Sequence, residues 1–111
     1  MKLLIILVFL TKDIVVAENI FYVEMEVSSN AMEEAGIRYG DRIRVQRNSD
    51  CKDGQVVIAC LNGQMLLRMF KKTGYSIQLV PATRNLSPIE VDTRACDFEV
   101  WGVVTHVIRK L

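Results

Sequence analysis

Val27-Ser28-Ser29-Asn30-Ala31-Met32-Glu33-Glu34-Ala35-Gly36-Ile37-Arg38-Tyr39-Gly40-Asp41 is the stretch around which this 111-residue sequence is organised. Just upstream, residues 21–27 alternate Phe, Val, Met and Val with Tyr, Glu and Glu, the period of a strand with one buried face. Ser28-Ser29 ends that strand. Asn30 stands three residues before Glu33, in capping-box register, and Gly36 offers a left-handed stop, so one short helical turn capped by Asn30 is expected. Gly40-Asp41 then passes the chain to a second strand over residues 41–47. There Ile43 and Val45 face inward, while Arg42, Arg44 and Arg47 form the wet face rather than a phosphate-binding strip.

Further along, the punctuation is that of a sheet protein. Residues 48–54 are turn-like and residues 55–61 are a nearly unbroken apolar run of strand length. Asn62-Gly63 follows at once. Both residues tolerate the positive φ of a type I′ turn, which makes this dipeptide the strongest hairpin signal in the chain, with residues 64–72 as the returning strand. Thr73-Gly74 turns into another strand over 75–80, residues 81–88 are irregular and 89–91 are briefly extended. The last element, 98–108, is rich in Val, Trp and Thr, with Gly102 as a bulge or close-packing point. At least six strands and one helical turn predict a mostly-β fold of short strands and hairpins.

Length allows one domain and no separate catalytic or DNA-reading unit. The net charge of +1, from 14 basic and 13 acidic residues, gives no field that would draw nucleic acid directly. Cys51, Cys60 and Cys96 are odd in number and lack CxxC spacing, and His106 is the sole histidine. Neither a disulfide framework nor a metal site is expected, and no cofactor is implied. Cys60, in an apolar run, is read as a small core residue, and a reducing cytoplasm suits these thiols.

The first 20 residues are set apart as an apolar arm, with the domain proper at 21–111. Lys2 followed by the apolar residues 3–10 resembles the start of a secretory signal, and Val15-Val16-Ala17 imitates a cleavage site. Lys12 and Asp13 interrupt that run, which is too short to span a bilayer. A β-rich arm packing on its own domain or on a partner is the favoured reading.

The order of parts resembles a known family. Val27-Ser28-Ser29-Asn30-Ala31-Met32, Gly36-Ile37, Gly40-Asp41 and Gly54-Gln55-Val56-Val57-Ile58-Ala59 are similar in content and spacing to the C-terminal domain of the LexA and UmuD self-cleaving serine peptidases. Asn62-Gly63, Arg68-Met69-Phe70-Lys71-Lys72, Leu79-Val80-Pro81, Ser87-Pro88-Ile89 and Gly102-Val103-Val104-Thr105-His106-Val107 continue the match, which looks especially like UmuD and covers residues 21–109.

That resemblance implies a Ser-Lys dyad that cuts the protein's own N-terminal arm, the lysine being desolvated enough to act as a neutral base. Carried over by position, the serine falls on Ala31 and the lysine on Arg68. Alanine has no nucleophile, and a guanidinium stays protonated and cannot serve as general base. Ser28, Ser29, Lys71 and Lys72 are the nearest substitutes, each displaced along the chain or pointed to the wrong face. The family's small-residue cleavage pair is also not recognisable upstream, where Val16-Ala17-Glu18 is only a faint echo. His106 and Trp101 are read as structural.

The favoured function is therefore a catalytically inactive LexA/UmuD-like domain serving as a dimerisation or regulatory module in the SOS response or a phage-type repressor system. Its implied partners are a second copy, a family relative, the RecA filament or a translesion polymerase, with no small-molecule substrate. A self-cleaving peptidase whose serine was replaced by alanine is the second reading. An exported or membrane-associated relative of the signal peptidases is the third.

Overall fold

The computed structural model describes residues 14–17, 20–47 and 50–109. Eight strands form one antiparallel sheet: β1 (Ile14–Ala17), β2 (Ile20–Glu26), β3 (Arg42–Gln46), β4 (Val56–Leu61), β5 (Gln64–Thr73), β6 (Ser76–Val80), β7 (Ile89–Val91) and β8 (Phe98–Ile108). A 3₁₀ turn, Glu33–Ala35, is the one helical piece among the described residues. The expectation of a mostly-β fold holds, with β1 placed at the sheet edge against β2; residues 1–13 of the apolar arm lie outside the described residues.

The strand order is β1-β2-β3-β8-β4-β5-β6-β7. The last strand in sequence thus stands between β3 and β4. Its early part, from Phe98 to Val103, pairs with β4, and its later part, from Val103 to Ile108, pairs with β3. Register shifts between Ile58 and Ala59 and between Arg44 and Val45 mark where β8 bends. Gly102 sits at the bend because nothing larger fits: a Cβ there would lie 2.5 Å from Val45 Cγ1 and 2.8 Å from the Gln46 carbonyl oxygen.

Alternation along the strands builds apolar layers on two faces. One packs Val27, Ala31, Met32, Ile37, Ile43, Val45, Ile58 and Leu67; the other packs Val57, Ala59, Phe70, Leu79, Val91, Val100 and Val103. Met32, Ile43 and Leu79 are almost wholly buried, each contributing about 1.5–3 kcal/mol of transfer free energy. On β3 the predicted faces are observed. Ile43 and Val45 point inward, and Arg42 and Arg44 flank Glu24 of β2 at 3.6 and 3.4 Å. Arg47 departs from the expected wet face: just past the strand, it is half-buried with its guanidinium 4.0 Å from the Trp101 ring centroid and Nη1 out of reach of water. The Asn62-Gly63 turn has φ of 50° and 82°, as a type I′ hairpin needs.

Two local expectations are corrected. Asn30 does not cap the turn: the preceding position is Met32, and no side-chain hydrogen bond caps it. The turn is held from across the chain instead, since the Ala82 N–H donates to the Ala31 carbonyl at 2.7 Å and the Glu34 N–H to the Ala82 carbonyl at 2.9 Å. The left-handed stop at Gly36 is observed, with φ of 88°. Cys60 is only half-buried, because it lies near the β4 end beside Met65 and Glu99, where the apolar layers thin out.

Candidate functional site

The stretch quoted at the outset forms a corner. Val27 closes it with two backbone bonds, donating to the Asp41 carbonyl and accepting from the Gly40 N–H, both at 2.8 Å. Ala31 hangs inside this corner at 2 % exposure, its N–H directed at Ser29 Oγ 3.4 Å away. Beside it opens a cleft of about 420 Å³. Residues 25–31 form one wall, residues 64–68 of β5 another, and Thr83, Asn85 and Leu86 from the irregular segment a third.

Arg68 lines the same cleft, so the two positions singled out from the sequence, 37 apart in the chain, share one hollow. Leu67 packs into the layer that contains Ala31, and Arg68 follows it opposite Val57 of β4. Arg68 is the one charged residue buried among those described, at 8 % exposure. Its Nη1 donates to the Leu67 carbonyl at 2.8 Å, while Nε is buried with no acceptor. Burial pushes its pKa down, since desolvation penalises the charged form, but a guanidinium stays protonated in the physiological range.

The rest of the lining offers no dyad. It contains Ser28, Ser29 and Glu26 but neither lysine nor histidine. Lys71 and Lys72 are exposed and pair with Gln78 and Ile77 of β6, away from the cleft. His106 is exposed opposite Arg44, its Nδ1 2.9 Å from Thr105 Oγ1. Among the described residues, no three His, Cys, Asp or Glu side chains gather where they could hold a metal ion. A second hollow between β6 and β7 is bounded largely by exposed residues such as Tyr75 and Arg94 and holds no buried polar group. Sequence reasoning missed the third wall of the cleft, because residues 83–86 carry no periodicity that would place them.

An all-antiparallel sheet whose first corner and fifth strand flank an open cleft agrees with the mostly-β fold expected from the resemblance. The chain belongs to the Peptidase S24-like family, whose sequence profile matches residues 8–105. Among its relatives is the LexA repressor of Azoarcus sp. (strain BH72), 34 % identical over 85 residues, which are 77 % of this chain and 42 % of the repressor. The chain thus spans about two fifths of the length of that relative.

Proposed function

We propose that this chain is a non-cleaving member of the family, acting as a pairing or regulatory module tied to the DNA-damage response or to a phage-type repressor. The observation that carries this reading is the composition of the cleft: a side chain without a hydroxyl at Ala31, a guanidinium at Arg68, and no lysine or histidine in the lining. Hydrolysis by this family's logic needs a nucleophile and a neutral base, and neither residue supplies one. A second copy or a family relative is the first partner proposed, with the RecA filament and a translesion polymerase as further candidates. Pairing is supported by the end of β8, where Val107 and Ile108 are 39 % and 37 % exposed and the edge beyond Val103 has lost its β4 partner.

The test is a reversion series, Ala31→Ser, Arg68→Lys and both together, incubated at raised pH with and without activated RecA and followed by intact mass. Cleavage only in the double revertant is the expected result. Cleavage by the unmodified chain, of itself or of a relative supplied in trans, overturns the proposal. Sedimentation velocity at several concentrations addresses pairing, where a monomer at high micromolar concentration counts against it. As for a membrane-associated relative, no helix among the described residues is long and apolar enough to cross a membrane.

A further inference from the structure

The Asn62-Gly63 hairpin tip is held by more than its own two strands. Asn62 donates its N–H to the Asp97 carbonyl at 2.7 Å, and its Oδ1 accepts the Asp97 N–H at 3.0 Å, so one residue clasps the β4–β5 turn to the start of β8. The clasp continues the β4–β8 ladder one step past the Leu61–Phe98 pair. Both turn residues are exposed, and a Cβ built on Gly63 would meet nothing within 4 Å. The Gly63 N–H donates to no backbone carbonyl among the described residues. A carboxamide thus stands next in the chain to a peptide nitrogen that has no side chain to screen it and no backbone acceptor to hold its proton. The chain's other asparagines precede Ile20, Ala31, Ser49 and Leu86, whose side chains screen the nitrogen.

We propose that Asn62 is a site of spontaneous covalent modification, deamidation through the Gly63 nitrogen, which the clasp on Asp97 restrains and which, once made, keeps the hairpin from reclosing in its original register. The Gly63 nitrogen gives its proton to solvent base and bonds to Asn62 Cγ; the Cγ–Nδ2 bond breaks, and Nδ2 takes up a proton and leaves as ammonia. Water then opens the resulting cyclic imide. Breaking the bond from nitrogen to Cγ yields aspartate in a normal backbone. Breaking the bond from nitrogen to the Asn62 carbonyl carbon yields isoaspartate, whose backbone runs through Cβ. One water is consumed, one ammonia is released, and nothing is oxidised or reduced. The folded turn opposes the first step. In the left-handed region, where Asn62 sits with φ of 50°, the following nitrogen stands opposite Cβ across the Cα–C bond, and the two bonds to Asp97 hold the residue and its amide there. Ring closure therefore waits for the tip to open and the start of β8 to let go. The two products differ in consequence. Aspartate keeps an oxygen for the Asp97 N–H, whereas isoaspartate adds a backbone atom to a two-residue loop whose length sets the β4–β5 register.

The full chain is aged at mildly alkaline pH, folded in buffer and unfolded in urea. The peptide spanning Asn62 is then followed by liquid chromatography and mass spectrometry, which separate its asparagine, aspartate and isoaspartate forms. In urea Asn62 is expected to convert ahead of the other asparagines, with isoaspartate among the products. In buffer its conversion should be about tenfold slower or more, because only opened molecules react. Asp97→Pro, which removes the N–H that holds Oδ1, should speed conversion in buffer severalfold and leave the rate in urea unchanged. Should that variant fail to fold by circular dichroism, a series of urea concentrations below the unfolding midpoint takes its place, and conversion should climb while the spectrum is still that of the folded chain. Chain carrying isoaspartate, separated after ageing, should melt several degrees below the unmodified chain, with Asn62→Asp close to the latter. Equal rates in buffer and urea, earlier conversion of another asparagine, a rate unmoved by Asp97→Pro or by urea until the chain unfolds, or an isoaspartate form as stable as the original overturns the proposal.

Discussion

Arg109, just past the last strand, grips Asp41 at the end of the first corner. Its Nη2 donates to Asp41 Oδ2 at 2.6 Å and its Nε to Oδ1 at 3.1 Å, and the same Nη2 reaches the Gly36 carbonyl at 2.6 Å. Asp41 also accepts from the Arg38 N–H at 2.8 Å, so the Arg109 guanidinium ties the exit of β8 to both ends of the Gly36–Asp41 loop while the carboxylate also holds its middle. The hydrogen bonds from Arg109 are the main reason its pKa falls from 3.8 to about 2, with the Arg38 N–H second.

This fixes a pH signature. A carboxyl whose folded pKa lies below its unfolded value stabilises the fold fully above the unfolded value, and loses that contribution as pH falls through the folded one. The urea midpoint of the unmodified chain should therefore exceed that of Asp41→Asn by a constant margin from neutral pH down to about 5. Below 3.8 the margin should shrink, and near pH 2 it should close. A margin that persists unchanged at pH 2 would show that the latch does not depend on the ionised carboxylate. Added salt should narrow it at neutral pH, because Arg109 is about half exposed.

Gly102→Ala should destabilise by about 1–3 kcal/mol, the range for forcing volume into a packed site. Its new methyl would strike Val45 Cγ1 and the Gln46 carbonyl. Val45→Ala in the same chain should recover only part, since the backbone oxygen cannot be trimmed away. Thermal melts of the two single variants and the double give the coupling directly, and full additivity would place the strain elsewhere.

Trp101 is the chain's single tryptophan and so reports on its own stacking with Arg47. Arg47→Ala should shift and alter its emission and cost about 0.5–1 kcal/mol, the usual worth of a cation–π pair at a partly exposed site. An unchanged spectrum would mean that the guanidinium does not sit on the ring in solution.

Arg68→Met should leave the fold as stable as before or raise its stability by about 1 kcal/mol, because it removes a buried cation whose Nε has no acceptor and fills the space with an apolar chain. A loss of several kcal/mol in urea titration would mean that the guanidinium is satisfied by a partner in solution.

What the sequence revealed was local. Seven of the strands follow from runs of alternating or continuous apolar residues; the eighth, β1, lies in the arm, for which only β-rich character was expected. The Asn62-Gly63 turn and the tight place at Gly102 follow from what those residues permit sterically. Positions 31 and 68 were picked out by spacing within a familiar order of parts. What escaped depends on distant pieces meeting. No periodicity tells that β8 inserts between β3 and β4, or that Ala82 rather than Asn30 satisfies the turn, because both are settled by backbone groups that every residue carries. Arg68 was read as a lost base; that its Nε would be stranded became visible only once β4 and β5 had buried it.

The central position of β8 bears on how the protein is made. β3 and β4 are consecutive in the chain, yet neither can reach its final neighbour until Phe98–Ile108 has left the ribosome. Until then the nascent chain holds two half-sheets with open inner edges, one of β1–β3 and one of β4–β7. Each is a template for pairing with other chains. Closure is therefore dominated by contacts between remote segments, so refolding should be slow for a domain of this size. A truncation anywhere before residue 98 leaves both halves permanently open, and such fragments are natural targets for chaperones and proteases.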